Sequence, residues 1–337
     1  MSSIRDVAKK AGFSVATVSH VINGTRPARA ETQERVRSAV RELGYSTNRA
    51  ARNLSAGKSS FLGLIISDLR NPFFPEVTST FQDQALLHDM EPIVLNTNYD
   101  VQRTLSCVRR MVSLQVPGVA ILTSQIDPSV IDMLASKKIP AVYLDLGRVD
   151  PFISNISIDY ESGIEEALAH ITDNGHRHVC FIGGPPHLHS ARRRKKAFLE
   201  CARARNLEVT AAIDSDFSVR GGYYACSKLS ATRVATAIVT GNDLVAIGAL
   251  HCLYDRGVRV PQDVSVVGFD DISFAQYTQP ALTTVAVPRE EIGRVAFQAL
   301  WDMISNPLLP GKQYFVETAL ITRQSTAKAL DLAPGKN

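Results

Sequence analysis

The chain has 337 residues and a mass of 36.8 kDa, which is too long for one ordinary hydrophobic core and predicts two or three domains. Hydrophobic residues make up 45% and charged residues 21%, as in folded soluble proteins, and the longest apolar run, Phe61 to Ile66, is too short to span a bilayer. The N-terminal residues show no signal-peptide pattern, so we expect a cytoplasmic protein without membrane contact.

The charges are unevenly distributed along the chain. Residues 1–60 carry 11 basic and 4 acidic side chains, whereas the remainder carries 26 and 29. A basic head on a slightly acidic body favours binding of a polyanion by the head, although a solvated basic surface has the same composition. The five cysteines are widely spaced and form no C-x-x-C pair, so we expect no metal site, no disulfide framework and no cofactor.

The first 45 residues contain three short helical patterns. The first begins with a capping box formed by Ser3 and Asp6 and ends at Gly12. The second begins after Ser14, repeats valine and isoleucine every three to four residues from Val15 to Ile22, and ends at Asn23-Gly24. Two short helices joined by a glycine-containing turn predict a helix-turn-helix, and the amphipathic stretch Glu31 to Leu43 supplies a third helix for them to pack on.

The positions of the second helix outside its predicted packing face are three small residues, Ala16, Thr17 and Ser19, and one imidazole, His20. Small residues let a helix approach base edges closely, and an imidazole can donate to a guanine acceptor. A simple helical hairpin within a larger domain is the alternative interpretation.

Another short helix is predicted over residues 48–56, where Leu54 has few apolar neighbours. This segment is either a linker or a helix that orders on DNA and inserts Leu54 into the minor groove.

Beyond residue 60, short apolar runs alternate with stretches long enough for a helix, which predicts two parallel-sheet lobes covered by helices. The predicted strands are Leu62–Ile66, Ile93–Leu95, Val119–Leu122, Ala141–Leu144, Val179–Ile182, Ala237–Val239 and Val264–Phe269, with a crossover near residues 155–160. Polar residues follow several of these strands, where open parallel sheets bind ligands, although helix capping is the alternative role. They are Ser67-Asp68, Asp145, Asp159, Asn242-Asp243 and Asp270-Asp271.

Three segments, "IRDVAKKAGFSVATVSHVINGT", "ELGYSTNRAARNL" and "LGLIISDLRNPFF", closely resemble the lactose/galactose repressor family of bacterial transcription regulators, and the likeness extends to about Arg323. The resemblance implies an α/β protein with a small all-α helix-turn-helix head at 1–46, a hinge helix and linker at 47–60, and two doubly wound, periplasmic-binding-protein-like lobes at 61–325. The N-lobe then comprises about 61–159 plus 290–320, the C-lobe about 160–289 plus 321–330, and the tail 326–337.

The resemblance also implies site residues. Val15, Ala16 and His20 match base-reading positions, and Leu54 matches the intercalating leucine of the hinge helix. The predicted DNA-binding set is Ser14, Val15, Ala16, Thr17, Ser19, His20, Asn23, Arg49, Ala51 and Leu54. The predicted effector-binding set is Phe73, Phe74, Asp145, Asp159, Ser190, Arg194, Phe217, Asn242 and Asp270.

The effector-binding set suits a polyhydroxylated ligand, because carboxylates, an amide and a guanidinium bind hydroxyl groups while a ring covers the apolar face. The basic run Arg192 to Lys196 has two interpretations. It either indicates an acidic or phosphorylated sugar or is a solvated helix face.

The sequence therefore predicts a homodimeric transcriptional repressor that binds a pseudo-palindromic operator and is controlled by a sugar or sugar derivative. A purine-type corepressor is the first alternative, and a sugar-binding protein without a regulatory role is the second. No nucleophile elbow, P-loop or H-E-x-x-H motif is present, so no catalytic residue is predicted. The residues leave open whether the ligand releases the protein from DNA or promotes its binding.

Overall fold

The computed structural model describes residues 2–23, 26–45, 59–123, 126–229 and 235–329. The chain forms two compact units, Met1–Ser60 and Phe61–Asn337, here called the head and the body. Within the described ranges, no helix is both long and apolar enough to cross a membrane.

The head contains three helices, α1 (Ile4–Ala11), α2 (Val15–Asn23) and α3 (Ala30–Glu42). The predicted capping box begins α1: the Asp6 carboxylate accepts from the Ser3 backbone N–H at 2.8 Å, and the Ser3 hydroxyl accepts from the Asp6 N–H at 3.3 Å. Gly12 ends α1 in the left-handed conformation with φ of 74°. The local capping and turn chemistry read from the sequence is therefore confirmed.

One small apolar cluster holds the three helices together. Its buried members are Val7, Ala8, Ala11, Val18, Val36 and Ala39. Val15 was predicted on the packing face of α2, but its side chain is 42% exposed, and this part of the prediction is wrong. Val15 lies in the first turn of a helix of about two turns, and the helices that bury Val18 do not cover that turn.

The body is built on two six-stranded sheets, one in each lobe. The N-lobe sheet has the order β11-β5-β4-β3-β1-β2, and its strands are all parallel. The C-lobe sheet has the order β12-β10-β9-β8-β6-β7, and it is parallel except for β12, which pairs with β10 in the antiparallel sense. The strands are β1 (Phe61–Ile66), β2 (Glu91–Asn96), β3 (Val119–Leu122), β4 (Ala141–Leu144), β5 (Ile153–Ile158), β6 (His178–Ile182), β7 (Glu208–Ile213), β8 (Ala237–Thr240), β9 (Ser265–Asp270), β10 (Thr283–Ala286), β11 (Gln313–Val316) and β12 (Ala319–Ile321).

Helices cover these sheets, and the chain crosses from one lobe to the other after β5, after β10 and after β11. The body helices are α4 (Phe73–Leu86), α5 (Val101–Ser113), α6 (Pro128–Ser136), α7 (Tyr160–Asp173), α8 (His189–Ala204), α9 (Val219–Ser227), α10 (Asp243–Asp255) and α11 (Arg289–Ser305), with a 3₁₀ turn at Ala275–Tyr277. α11 packs on α4 and on the N-lobe strands, whereas α7 packs on α8 and on the C-lobe strands. The crossings therefore bring the carboxyl ends of both sheets to one cleft.

All seven strands predicted in the body form, and the stretch predicted as a crossover contains β5 and the start of α7. The sequence interpretation missed β7, β10, β11 and β12. Each of these is either a partly exposed edge strand or a run of three or four residues rich in threonine and other polar side chains. Such strands lack the continuous apolar pattern of buried parallel strands.

Candidate DNA-binding helix and effector cleft

The N-terminal turn of α2 is the exposed part of the helix-turn-helix. The Ser14 hydroxyl accepts a hydrogen bond from the Thr17 backbone N–H at 3.1 Å, so Ser14 caps the helix as predicted. Val18, one turn further along the helix, is fully buried. Of the predicted DNA-binding side chains on α2 and its cap, Ser14, Val15 and Ala16 are exposed, and Thr17, Ser19 and His20 are half-buried.

A side chain of the third helix, Arg35, contacts the turn that precedes α2. The Arg35 guanidinium lies 5.0 Å from the centroid of the Phe13 ring. A Cβ atom at Gly12 would lie 2.8 Å from Nη2 of Arg35, so both this close approach and the positive φ favour glycine. Arg35 therefore helps to orient α2 relative to α3.

The remaining predicted DNA contacts, Arg49, Ala51 and Leu54, lie outside the described residues, as does the side chain of Asn23.

A cavity of about 40 Å³ lies at the carboxyl ends of the strands, between the two lobes of the body. One water molecule needs roughly 10–15 Å³ of such space, so the closed cleft has room for only a few waters. A sugar or a nucleobase therefore requires the lobes to separate or side chains to move. The predicted effector residues that line the cavity are Phe73, Phe74, Asp145, Ser190, Arg194, Phe217, Asn242 and Asp270.

Arg194 is the central side chain of this cavity. Its Nη2 lies 3.0 Å from Oδ1 of Asp270, and its Nη1 donates to the carbonyl of Gly241. The guanidinium carbon stands 4.2 Å from the ring centroid of Phe269 and 5.7 Å from that of Phe217. Nε of Arg194 is buried and has no partner among the described residues. One donor of the guanidinium is therefore available to a ligand that enters the cavity.

Two carboxylates with raised pKa values line the same cavity. Burial raises the pKa of Asp270, and the Arg194 guanidinium opposes that rise. Burial also raises the pKa of Asp145, although this carboxylate accepts from the Tyr160 hydroxyl at 2.6 Å and from the Ile158 N–H at 3.1 Å. Each carboxylate is held by protein donors on one side and faces the cavity, so each can accept a hydrogen bond from a ligand hydroxyl.

Two of the polar residues predicted at strand ends serve as helix caps. Asn242 lines the cavity, but its Oδ1 accepts from the Val245 N–H at 2.9 Å and its Nδ2 donates to the Phe217 carbonyl at 3.3 Å. Asp159 does not line the cavity. Its carboxylate accepts from the backbone N–H and the hydroxyl of Ser162, at 3.0 and 2.7 Å, which satisfies it as the N-cap of α7. The structure therefore does not support Asp159 as an effector ligand.

The cavity wall includes Ser67, which was predicted at a strand end, but the sequence interpretation missed three other polar or aromatic residues of the wall, Asn71, Tyr99 and Tyr160. Tyr99 illustrates why. It lies in a turn closed by the Asp100 N–H and the Thr97 carbonyl at 3.1 Å, in which Asn98 and Tyr99 have φ of 51° and 58°. A turn with two positive φ values ordinarily carries glycine at its second central position. The polar residues of this turn indicate a turn in the sequence, but they do not indicate that the ring of Tyr99 reaches the cavity.

Backbone strain is concentrated around the cavity. Tyr99, Asp145, Phe217 and Asp270 are all cavity-lining residues with positive φ, at 58°, 57°, 61° and 107°. Non-glycine residues rarely adopt such angles, and residues held in them cluster at ligand sites. The strain therefore marks this cavity, independently of any sequence motif, as the functional cleft of the body.

The basic run on α8 is largely neutralised by neighbouring groups. Arg192 donates to the carbonyls of Pro186 and His187 at 3.3 and 2.6 Å. Arg193 pairs with Glu161 at 2.7 Å and with Asp145 at 3.5 Å, and Arg194 with Asp270. The two lysines follow the same pattern: Lys195 pairs with Asp214 at 2.8 Å and Lys196 with Glu200 at 3.8 Å. The cleft-facing residues therefore do not present excess positive charge.

A helix-turn-helix unit with an exposed second helix, joined in one chain to a two-lobed body with a polar and aromatic cleft, defines a ligand-responsive DNA-binding regulator. Comparisons with known proteins agree with this class. Residues 3–48 match the model of bacterial regulatory proteins of the lacI family, and residues 168–326 match a periplasmic binding protein-like domain.

Relatives match nearly the whole chain. The chain is 31% identical over 333 residues to the HTH-type transcriptional repressor PurR of Pectobacterium carotovorum, covering 97% of each chain. It is 32% identical over 332 residues to PurR of Edwardsiella ictaluri, again covering 97% of each. The chain belongs to the lacI family of bacterial transcriptional repressors.

Solved structures support the same assignment. A lac repressor dimer bound to operator and the anti-inducer ONPF matches with a TM-score of 0.85 and 26% identity, covering 97% of this chain and 99% of that one. The transcriptional regulator CelR in complex with cellobiose matches with a TM-score of 0.72 and 27% identity, covering 96% and 100%. The chain therefore joins a DNA-binding domain of the lacI family to a periplasmic binding protein-like effector domain, the combination of a transcriptional repressor of this family.

Proposed function

We propose that the exposed N-terminal part of α2 reads the operator and that a small neutral polyhydroxylated effector binds in the body cleft. The proposed base-reading side chains are Ser14, Val15, Ala16, Thr17, Ser19, His20 and Asn23, with Arg49, Ala51 and Leu54 of the hinge acting in the minor groove. The exposure of Val15 supports this role, because a valine outside the head core is available to touch a thymine methyl group.

The proposed domain limits follow from the same assignment. The helix-turn-helix DNA-binding domain occupies residues 1–46 of the head, and the hinge and linker occupy residues 47–60. The effector-binding and dimerisation domain spans 61–325, followed by a short tail.

The observation that carries the effector proposal is the buried ion pair of Arg194 and Asp270 in the cleft. Nε of Arg194 has no partner among the described residues, and its guanidinium lies over the ring of Phe269. Two carboxylates, Asp145 and Asp270, and one guanidinium leave the cavity wall without net positive charge. An anionic effector would bring further negative charge against buried carboxylates, which is unfavourable. Hydroxyl groups, in contrast, satisfy carboxylates, serine hydroxyls and an arginine donor together. These contacts favour a neutral sugar over a sugar acid or a phosphorylated sugar.

The proposed mechanism is a shift between closed and open lobes. Because the closed cavity has a volume of only about 40 Å³, an effector binds when the lobes separate or when Arg194 leaves its place, and it then changes the preferred arrangement of the body. Such coupling is typically about 1–3 kcal/mol, or about 5- to 150-fold in operator affinity. Paired hinge segments of a dimer would pass this change to the two heads.

A purine-type corepressor is the second candidate. The relatives named PurR favour it, and so do the aromatic rings of Phe73, Phe74 and Phe217, because a flat base stacks on such rings. Under this alternative the unpartnered Nε of Arg194 would donate to a carbonyl or ring nitrogen of the base.

One experiment tests both parts of the proposal. Operator sequences are selected from random duplexes with the full-length protein, alone and with neutral sugars, sugar acids, sugar phosphates and purines. We expect a pseudo-palindrome whose enrichment changes with a neutral sugar. Enrichment that responds to a purine supports the second candidate, and a response to a sugar phosphate contradicts the charge argument. If no sequence is enriched under any condition, the assignment of α2 as the reading helix is wrong.

A further inference from the structure

An ion pair outside the effector cavity lies in the N-lobe, at its boundary with the C-lobe. Glu76 lies on α4 of the N-lobe, and Arg289 is the first residue of α11, directly after the chain leaves the C-lobe sheet. Nε of Arg289 stands 2.5 Å from Oε2 of Glu76. Their side chains are only 16% and 32% exposed, so the pair is partly shielded from solvent.

Both partners also contact the loop that follows β9 in the C-lobe. Nη1 of Arg289 donates to the Asp270 carbonyl at 2.5 Å, and the backbone N–H of Ser273 donates to Oε1 of Glu76 at 3.4 Å. Since α4 packs on α11 and β2 in the N-lobe, the Glu76 carboxylate bridges from one lobe to the other. Separation of the lobes would break at least the bond to Ser273.

The pair is linked to the effector cavity through one residue, Asp270. The Asp270 carboxylate accepts from Arg194 inside the cavity, while its carbonyl accepts from Arg289 outside it. Asp270 has φ of 107°, so its backbone is held in an unfavourable conformation by groups on both sides. Neither Glu76 nor Arg289 lines the cavity. A change in the Asp270 side chain can therefore reach the ion pair without the effector touching it.

A contact between charged groups that does cross from one lobe to the other, Arg193 with Asp145, does not separate these roles. Asp145 lines the cavity and also accepts from Tyr160, so any change there alters the predicted effector contacts together with closure. The pair formed by Glu76 and Arg289, in contrast, can be removed while every predicted effector ligand is kept.

We propose that Glu76 and Arg289 act as positioning residues, forming a clamp that holds the lobes closed and keeps Asp270 in place for the effector. The proposal rests on the proposed function only in taking lobe closure as the regulated step. A free ion pair on a surface contributes little, but this one is partly buried and shares its groups with two backbone hydrogen bonds, which increases its contribution.

Hydrogen–deuterium exchange of the full-length protein tests the clamp without any ligand. The variants are Glu76→Gln, Arg289→Gln and the double variant, because glutamine removes the charge, keeps the size of glutamate and replaces the longer arginine by a neutral polar side chain. We expect amides of residues 271–274 to exchange about tenfold faster in each single variant. The double variant should exchange no faster than the singles, since either change alone breaks the clamp.

The matched control is Asp263→Asn, which breaks an ion pair of similar length, 2.6 Å between Asp263 and Arg259, within one lobe. This variant should leave exchange at residues 271–274 unchanged. Unchanged exchange there in Glu76→Gln, or purely additive effects of the two single changes, would overturn the clamp. If Arg289→Gln fails to fold, Glu76→Gln against the same control still decides the question.

Operator affinity on the same variants separates the clamp from the proposed function. With an operator obtained by selection, we expect the single variants to bind about fivefold more weakly or more tightly than the wild type. Faster exchange with unchanged operator affinity keeps the clamp and contradicts regulation through closure. Normal exchange with altered operator affinity contradicts the clamp and leaves the regulatory function standing.

Discussion

The head and the effector cleft differ in how their recognition residues are distributed along the sequence and in how deeply they are buried. The proposed base-reading residues of α2 and its cap all lie between Ser14 and Asn23, and the first three, Ser14, Val15 and Ala16, are exposed. The cleft residues come from segments as far apart as Ser67 and Asp270, and most of them are buried. Recognition in the head therefore depends on local sequence and a small core, whereas recognition in the cleft depends on the long-range packing of two sheets.

This difference has an energetic consequence. An exposed reading residue contributes to DNA binding but little to folding, so it can change without loss of structure. A cleft residue such as Arg194 contributes to both, because its removal leaves the Asp270 carboxylate buried without its partner. Four predictions use this contrast, from the largest expected effect to the smallest.

Arg194→Ala should lower the free energy of unfolding of the body by about 3–5 kcal/mol, because breaking a buried ion pair leaves an uncompensated charge. It should also abolish the effector response. Denaturant unfolding measures the first effect and ligand-dependent operator binding the second. Arg192→Ala, an exposed arginine of the same helix, is the control and should change neither. A stable Arg194→Ala protein that keeps its effector response would remove this residue from the cleft chemistry.

Leu54→Ala should weaken specific operator binding by about tenfold or more and reduce DNA bending, since an intercalating side chain holds a base step open. Gel mobility of circularly permuted operator fragments measures the bend. The effector affinity of the body should stay as in the wild type. Undiminished bending would show that Leu54 does not intercalate.

His20→Ala should cost about 1–3 kcal/mol of specific DNA affinity, because a contact to a base edge is lost. Binding to non-specific DNA should change little, and anisotropy titrations with both duplexes give the difference. Ser38→Ala, in α3 of the same head, removes only a local hydrogen bond to Glu42 and serves as the control. An equal loss on both duplexes would assign His20 to the phosphate backbone instead.

Asp243→Asn should change the pH dependence of unfolding. Asp243 is fully buried, and burial raises its pKa well above the usual value of 3.8, with the neighbouring Asp270 adding to the rise. Above that usual value the folded state keeps a proton that the unfolded state loses, so wild-type stability falls as the pH rises through the raised pKa.

The Asp243→Asn variant lacks this pH-dependent contribution to stability, because the asparagine side chain is neutral over the whole pH range. Its stability relative to the wild type should therefore increase as the pH rises and level off above the raised pKa, which chemical denaturation across a pH series measures. A constant difference over the whole series would mean that Asp243 does not titrate differently in the folded protein.

How much could be predicted from the sequence follows the same division. In the head, the capping box, the turn at Gly12 and the cap at Ser14 were all readable, because each is set by residues three or fewer positions apart. The apolar repeat of α2 did not show that Val15 is exposed, since that depends on how α2 packs on its neighbours. In the body, the buried apolar strands were readable, whereas the partly exposed or threonine-rich ones were not.

The cleft shows what periodicity and motifs leave undecided. Family resemblance found Arg194 and Asp270, but it also suggested Asp159, whose carboxylate caps α7 instead. It missed Tyr99, whose ring reaches the cavity from a strained turn. Whether a polar residue at a strand end caps a helix or faces a ligand depends on backbone angles and on partners far away in the sequence.

The sequence by itself determined the helix-turn-helix, the α/β character of the body and the family, because these rest on local spacing and apolar period. Only the tertiary structure decided the tight cavity, the neutralisation of the basic run on α8 and the pairing of Glu76 with Arg289. Those features arise from contacts between residues as many as 213 positions apart. Local sequence rules do not specify such contacts, since they form only when distant segments of the chain pack together.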